Sequence, residues 1–299
     1  GMMETVLNVG LSEKTLPGLI SNSKNRRFAY DAYRRLIMMY ADVVMEKSMG
    51  LNPNPKDSIR NQLEILMDTM KLNRNIKLDV ELTVDDLKIL ISQFKSKIKE
   101  VLGKNFPDDA HTQLWETITA IFKSWNGKRA IKYRKIENIP DNWGTAVNIQ
   151  AMVFGNMGKS SATGVAFTRN PSTGENHFYG EWLSNAQGED VVAGIRTPYP
   201  INIKSTGKHN NIKNSLDSKF PKLYSQLEKI KNNLENHFRD MQDIEFTIQK
   251  GNLWMLQTRK GKRNGQAAIQ MAVDMYSEGL ISMDEALLRV NPKHLDEVM

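Results

Sequence analysis

Between Asp243 and Arg259 two alternating runs meet at Gly251, and polar residues recur at every second position. That is the pattern of a β-hairpin. Strand side chains alternate between faces, so Ile244, Phe246, Ile248, Trp254 and Leu256 form one apolar set, while Asp243, Glu245, Thr247, Gln257 and Arg259 fall on the other. A three-residue loop at 249–251, with Gly251 left-handed, pairs odd residues with odd and gathers Glu245, Gln257 and Arg259. A two-residue loop mixes Glu245 with Leu256. The three-residue loop is the expectation. Two carboxylates, an amide oxygen and a guanidinium on one face suit a nucleotide polyphosphate, because hard oxygens hold Mg²⁺ and a guanidinium meets phosphate oxygens bidentately. The same spacing also describes an ordinary amphipathic hairpin with a solvated face and one surface ion pair.

The elements that must carry this hairpin are legible in outline. At 299 residues the chain is long enough for two or three units. Apolar residues at helical spacing predict a helix over 27–46, with Asp31 and Arg34-Arg35 outside its stripe, and Asn52-Pro53-Asn54-Pro55 breaks it. Further helices are predicted over 58–70, 83–102 and 108–125. Thr83 with Asp86 supplies a capping-box start, and Gly103 a stop. Together, 30–125 reads as a small helical subdomain whose Lys95, Lys97, Lys99 and Lys104 make either a partner surface or a solvated face.

Beyond Asn126-Gly127 the composition shifts to β-branched residues and glycine, so a boundary is expected near 125. RAIKYRKIENIP, AVNIQAMVFG, TGVAFTRNPSTG and HFYGEWL read as short strands. The loop 156–164 is rich in glycine and hydroxyls, yet it lacks the spacing of a P-loop around Lys159. A polar loop is expected over 201–214, then helices over 220–240, 266–279 and 283–290, the last capped by Ser282 with Glu285. None of His111, His177, His209, His237 and His294 sits in a phosphocarrier motif, and all five are read as non-catalytic.

Composition narrows the class. No apolar run approaches a membrane span, and no leader pattern opens the chain. The absence of cysteine removes disulfides and thiolate chemistry, which is compatible with a cytoplasmic setting. The net charge of +7 and the pI near 9.3 come from basic residues scattered among 34 acidic ones. Attraction of an anionic small molecule is the expectation, rather than nucleic-acid binding.

The run DMQDIEFTIQKGNLWMLQTRKGKR resembles the segment that closes the ATP site of the pyruvate, phosphate dikinase family. The stretch AVNIQAMVFGNMGKSSATGVAFTRNPSTGENHFYGEWLSNAQGEDVVAGIRTPYPI is similar, almost without a gap, to the larger lobe of that family's ATP-grasp domain. Its NAQGEDVVAGIRTP part favours this family over phosphoenolpyruvate synthase and rifampicin phosphotransferase, and Ala162 stands where many members carry glycine. The opening GMMETVLNVG resembles the family's PGMMDTVLNLGLN, with Glu4 in place of Asp.

The resemblance implies an α+β fold: an ATP-grasp-type nucleotide-binding lobe with an inserted small helical subdomain. Its expected parts are 1–29, a remnant of a truncated N-terminal lobe; 30–125, the helical subdomain; 126–262, the ATP-grasp lobe; and 263–299, helices leading to a phosphohistidine domain. It implies conversion of ATP, phosphate and pyruvate to AMP, diphosphate and phosphoenolpyruvate through a phosphohistidine. Glu245 and Gln257 match the metal-ligand positions, Arg259 the phosphate-clamping catalytic arginine, and Asp243 an acidic residue beside them. The strand 147–153 is expected to end at the adenine, with main-chain groups of Gln150, Met152 and Val153 reading the base and Ile149 in the core. Glu181 and Arg196 are further candidates to face ligand, more often structural in such turns. ATP with Mg²⁺ and the remaining domains of a homodimeric parent are the implied partners. By itself the chain looks like a piece cut inside a domain, neither turning over nor binding ATP tightly. A non-catalytic interaction module using the lysine-rich helices is the alternative from a different class.

Overall fold

Five of the longer helices begin where the sequence supplies a side-chain acceptor. The computed structural model describes residues 2–192, 196–206 and 214–297, and it divides into two units, Gly1–Met152 and Val153–Met299. In the first unit, α1 (Leu16–Ser23) is followed by α2 (Arg26–Tyr40), where the Asn25 side chain accepts from the Phe28 N–H. A π-helical turn, Ala41–Glu46, extends α2. Ser58 caps α3 (Ile59–Arg74), Thr83 and Asp86 form the capping box of α4 (Val84–Leu102), and Asp109 caps α5 (Ala110–Ser124). Gly103 ends α4 in the left-handed conformation that favours glycine. The periodicity thus located four helices.

Three details depart from the expectation. Asp31 and Arg34 are buried rather than outside the apolar stripe. Asp31 accepts from both Arg34 and Arg35, and although burial opposes ionisation, those guanidiniums hold its carboxyl down at about 2. RAIKYRKIENIP is not a strand but α6 (Lys128–Ile136). Ala130 and Arg134, four apart, are both buried, and the Arg134 guanidinium lies 4.1 Å from the centre of the Trp125 ring while donating to Asp141. The division between units falls after Met152 rather than near 125.

The second unit is built on five strands: β1 (Ala162–Phe167), β2 (Tyr179–Ser184), β3 (Tyr199–Pro200), β4 (Gln242–Gln249) and β5 (Asn252–Lys260), in the antiparallel order β3-β2-β1-β4-β5. Short helices α7 (Gly188–Val192) and α8 (Leu216–Lys219) and the long α9 (Pro221–Phe238) lie between β2 and β4 in sequence, and α10 (Gly265–Ser277), α11 (Met283–Arg289) and α12 (Pro292–Asp296) follow β5. Leu223 and Leu227 of α9 join Ile244, Phe246, Ile248, Ala162, Ala166 and Trp182 in one core. The three β4 residues are fully enclosed, each worth roughly 1.5–3 kcal/mol of transfer free energy. On the other face Phe167 packs against Met271 and Met275 of α10. The sheet is therefore fixed from both sides. Much of the expected polar loop over 201–214, including His209, lies outside the described residues.

Gly164 shows how closely β1 meets this core. A Cβ built there would come within 2.4 Å of the Phe246 ring and 2.9 Å of the Glu181 carbonyl oxygen. Gly164→Ala is expected to cost about 1–3 kcal/mol. The measurement is a urea melt, in which the midpoint falls and the slope is unchanged.

Candidate functional site

The β4–β5 turn has two residues, not three. Lys250 and Gly251 both have positive φ, 49° and 79°, as a tight primed turn requires, and Gln249 pairs with Asn252. Continued without interruption, that register would set Glu245 opposite Leu256 and turn Gln257 into the core. A β-bulge between Glu245 and Phe246 prevents it: Phe246 pairs with Met255 but Glu245 pairs with Gln257 and Asp243 with Arg259, leaving Leu256 as the extra residue. The odd-with-odd pairing holds for a reason that the sequence did not show. The bulge also reassigns the apolar set. Leu253 and Met255 pack against the core, whereas Trp254 is half-exposed opposite Thr247, on the face of the polar residues.

Register through β1 extends this face across the sheet. Val165 lies between Glu245 on β4 and Glu181 on β2, so Glu181, Val165, Glu245 and Gln257 form one cross-strand row. In the next row Arg259 Nε donates to Asp243 Oδ2 at 2.7 Å; the aspartate side chain is 11% exposed and the arginine 52%. The arginine lies on the edge strand with half its side chain at the surface, where such a pair contributes about 1 kcal/mol or less.

The glycine and hydroxyl-rich loop supports the hairpin. The Gly251 N–H donates to the Ser160 carbonyl, the Lys250 N–H to Ser161 Oγ, and the Gly158 N–H to Asn185 Oδ1. Of the loop's own backbone donors, Gly158 N–H is taken by Asn185 and Ser161 N–H by the Gly158 carbonyl. Arg196 donates to the Ser184 and Asn185 carbonyls, a structural role. Gln249 Oε1 accepts from the Phe154 N–H and ties that segment to the hairpin end.

The expected strand over 147–153 is not formed. Among the described residues it joins no sheet. Ile149, expected in the core, is 66% exposed. Gln150 is exposed, Met152 and Val153 are half-buried, and the division between units falls between the last two. Of the lysine stripe, Lys95 pairs with Glu13 and Asp108, and Lys97 with Glu100, so intramolecular carboxylates take up part of its charge.

Comparison with known proteins bears on what this face is for. The sequence model of the family described as pyruvate phosphate dikinase, AMP/ATP-binding domain, matches residues 1–226 and 214–280. The chain belongs to that family. It is similar over its whole length to proteins named pyruvate, phosphate dikinase: 51% identical to that of Rhizobium meliloti (strain 1021) and 49% to that of Clostridium symbiosum, covering 32% of each, and 48% identical to the chloroplastic dikinase 1 of Arabidopsis thaliana, covering 29%. The chain thus spans about a third of the length of these relatives.

Within this AMP/ATP-binding domain family, Glu245 and Gln257 offer a carboxylate and an amide oxygen from directly paired positions. No group of three or more His, Cys, Asp or Glu able to hold a metal exists among the described residues. A paired donor set with the remaining ligands from phosphate and water is the habit of Mg²⁺, so the residues fit that ion. No described helix is long and apolar enough to cross a membrane.

Proposed function

We propose that the polar face of β4–β5 binds the polyphosphate of MgATP, as the nucleotide end of a pyruvate, phosphate dikinase with an ATP-grasp lobe. The supporting observation is the register: one bulge brings Glu245 opposite Gln257 and Asp243 opposite Arg259 on one face, where β4 meets the edge strand β5. In this reading Glu245 and Gln257 hold the ion, which when bound offsets phosphate charge. Asp243 orients Arg259, and Arg259 clamps the transferring group, because phosphoryl transfer asks for alignment and electrostatics rather than a protein nucleophile at this end. The main chain of Gln150, Met152 and Val153 is retained as the reader of the base. The wider reaction, ATP, phosphate and pyruvate to AMP, diphosphate and phosphoenolpyruvate by way of a phosphohistidine, belongs to the same reading, as do a homodimeric parent and a cytoplasmic setting.

Paramagnetic relaxation tests the site even where affinity is low. Mn²⁺·ATP added to the chain is expected to broaden the amide resonances of Val165, Glu245, Thr247 and Gln257 before those of the α9-facing core, and Glu245→Gln to abolish the effect. Broadening that spares this row would overturn the assignment.

A further inference from the structure

Behind the hairpin, on the face opposite Glu245 and Gln257, lies a cavity of about 370 Å³ lined by Phe238, Asp240, Gln242, Thr258, Arg259, Lys260 and Arg289. Its volume is at the small end of those that hold metabolites. The polar groups at its base are already satisfied: Thr258 donates to Gln242 Oε1, and Gln242 Nε2 to the Asp240 carbonyl. Asp240 is nearly enclosed and takes its short contact from Arg263, at 2.7 Å. Burial alone would raise its pKa; the Arg263 hydrogen bond and the surrounding cations bring it below the ordinary value, so it is a fixed negative charge.

The cations exceed what it can balance. Lys260 is 3.5 Å from Asp240, 75% exposed, and has no closer partner among the described residues. Arg289 donates one Nη1 bond to the Arg239 carbonyl at the end of α9 and is 3.8 Å from Asp240. Three cations therefore face one carboxylate and the C-terminus of α9, which carries about half a negative charge, leaving an excess of roughly one and a half positive charges. The half-exposed ring of Phe238 closes one wall with apolar surface.

We propose that this cavity is a second oxyanion site, separate from the nucleotide face, that takes the phosphate group of a small monoester. Lys260 and the remaining guanidinium hydrogens of Arg289 meet the phosphate oxygens, and Phe238 covers the organic body. Arg259 lines the cavity while pairing with Asp243 on the other face, so occupancy here reaches the edge strand that carries the nucleotide residues. The proposal rests on the cavity and on Lys260 and Arg289, and of the nucleotide residues it shares only Arg259.

The test is a ¹H–¹⁵N titration of the chain at constant ionic strength, free of nucleotide and metal, with inorganic phosphate in one arm and phenyl phosphate in the other. Saturable shifts at Thr258, Lys260 and Arg289 are expected, weakened roughly tenfold or more in Lys260→Ala and recovered in Lys260→Arg. Tighter binding of phenyl phosphate supports the monoester; equal binding overturns that part and leaves a site for the free ion. Shifts that map to Glu245 and Gln257, that do not saturate, or that ignore Lys260→Ala overturn the site itself.

Discussion

Glu245→Ala, introduced into a full-length dikinase carrying this segment, is expected to lower phosphohistidine formation from ATP by about 10²–10³-fold while the protein stays folded, and Arg259→Ala to do the same. The magnitude follows from what each group would do under the proposed function. Glu245 supplies the only carboxylate directly across from Gln257, so its loss leaves one neutral oxygen to place the ion. Arg259 sits on an edge strand with its guanidinium half-exposed and outside the hydrophobic core, so its truncation opens no cavity there. Two controls separate chemistry from structure. Arg259→Lys keeps the charge and loses bidentate geometry, so it is expected to recover only part of the rate. Asp243→Asn removes the charge that orients Arg259 and is expected to raise KM for ATP or lower kcat without touching the ion. A quench-flow measurement of the phosphoenzyme burst reads all four, and wild-type bursts in both alanine variants would sink the proposal.

How the hairpin was legible shows where sequence stops informing structure. The alternation of Asp243, Glu245 and Thr247 gave β4 and its faces, because a strand with one buried face repeats every second residue. The loop could not be read the same way. Lys250-Gly251 and a three-residue alternative differ by one position, and the compensating bulge at Leu256 carries no proline, glycine or charge that marks it. Two departures, the shorter loop and the bulge, cancel at Glu245 and Gln257 but not at Trp254. Glu181 illustrates a different limit: its place in the row with Glu245 depends on β1 lying between β2 and β4, a long-range pairing that local pattern does not encode. The run 147–153 has the composition of a strand but no ladder partner, and propensity alone does not make a strand. The capped helices 83–102 and 283–290 were read within a residue or two, since capping is local chemistry. The cavity behind the hairpin was missed because Phe238, Lys260 and Arg289 are distant in sequence.

The position of the site face rests on an ion network around a buried arginine, and breaking it is expected to be a large stability change in the second unit. Arg169, 1% exposed, follows β1 and donates to both oxygens of Glu235 on α9 and to Glu278 at the end of α10. A single guanidinium thus ties α9 and α10 to the end of the strand that holds Phe167 opposite Asp243. Arg169→Met leaves the Glu235 carboxylate enclosed without its main partner, a loss of about 3–5 kcal/mol. Hydrogen exchange at the Ile244 and Phe246 amides is then expected to speed up by roughly two orders of magnitude or more. Adding Glu235→Leu is expected to restore much of the protection, because replacing both charges removes the desolvation cost that replacing one exposes. Acidity gives an independent readout. The Arg169 hydrogen bond holds Glu278 below its ordinary 4.5, against the opposing effect of burial. A carboxyl depressed in the folded state contributes stability above its unfolded pKa, and that contribution is lost as pH falls through the lower, folded value. In the wild type, protection is therefore expected to decline below about pH 4.5 partly through Glu278, and in Arg169→Met that part of the decline to disappear. If the variant keeps both its protection at neutral pH and its full acid sensitivity, Arg169 is not the tie that holds the two helices to the sheet.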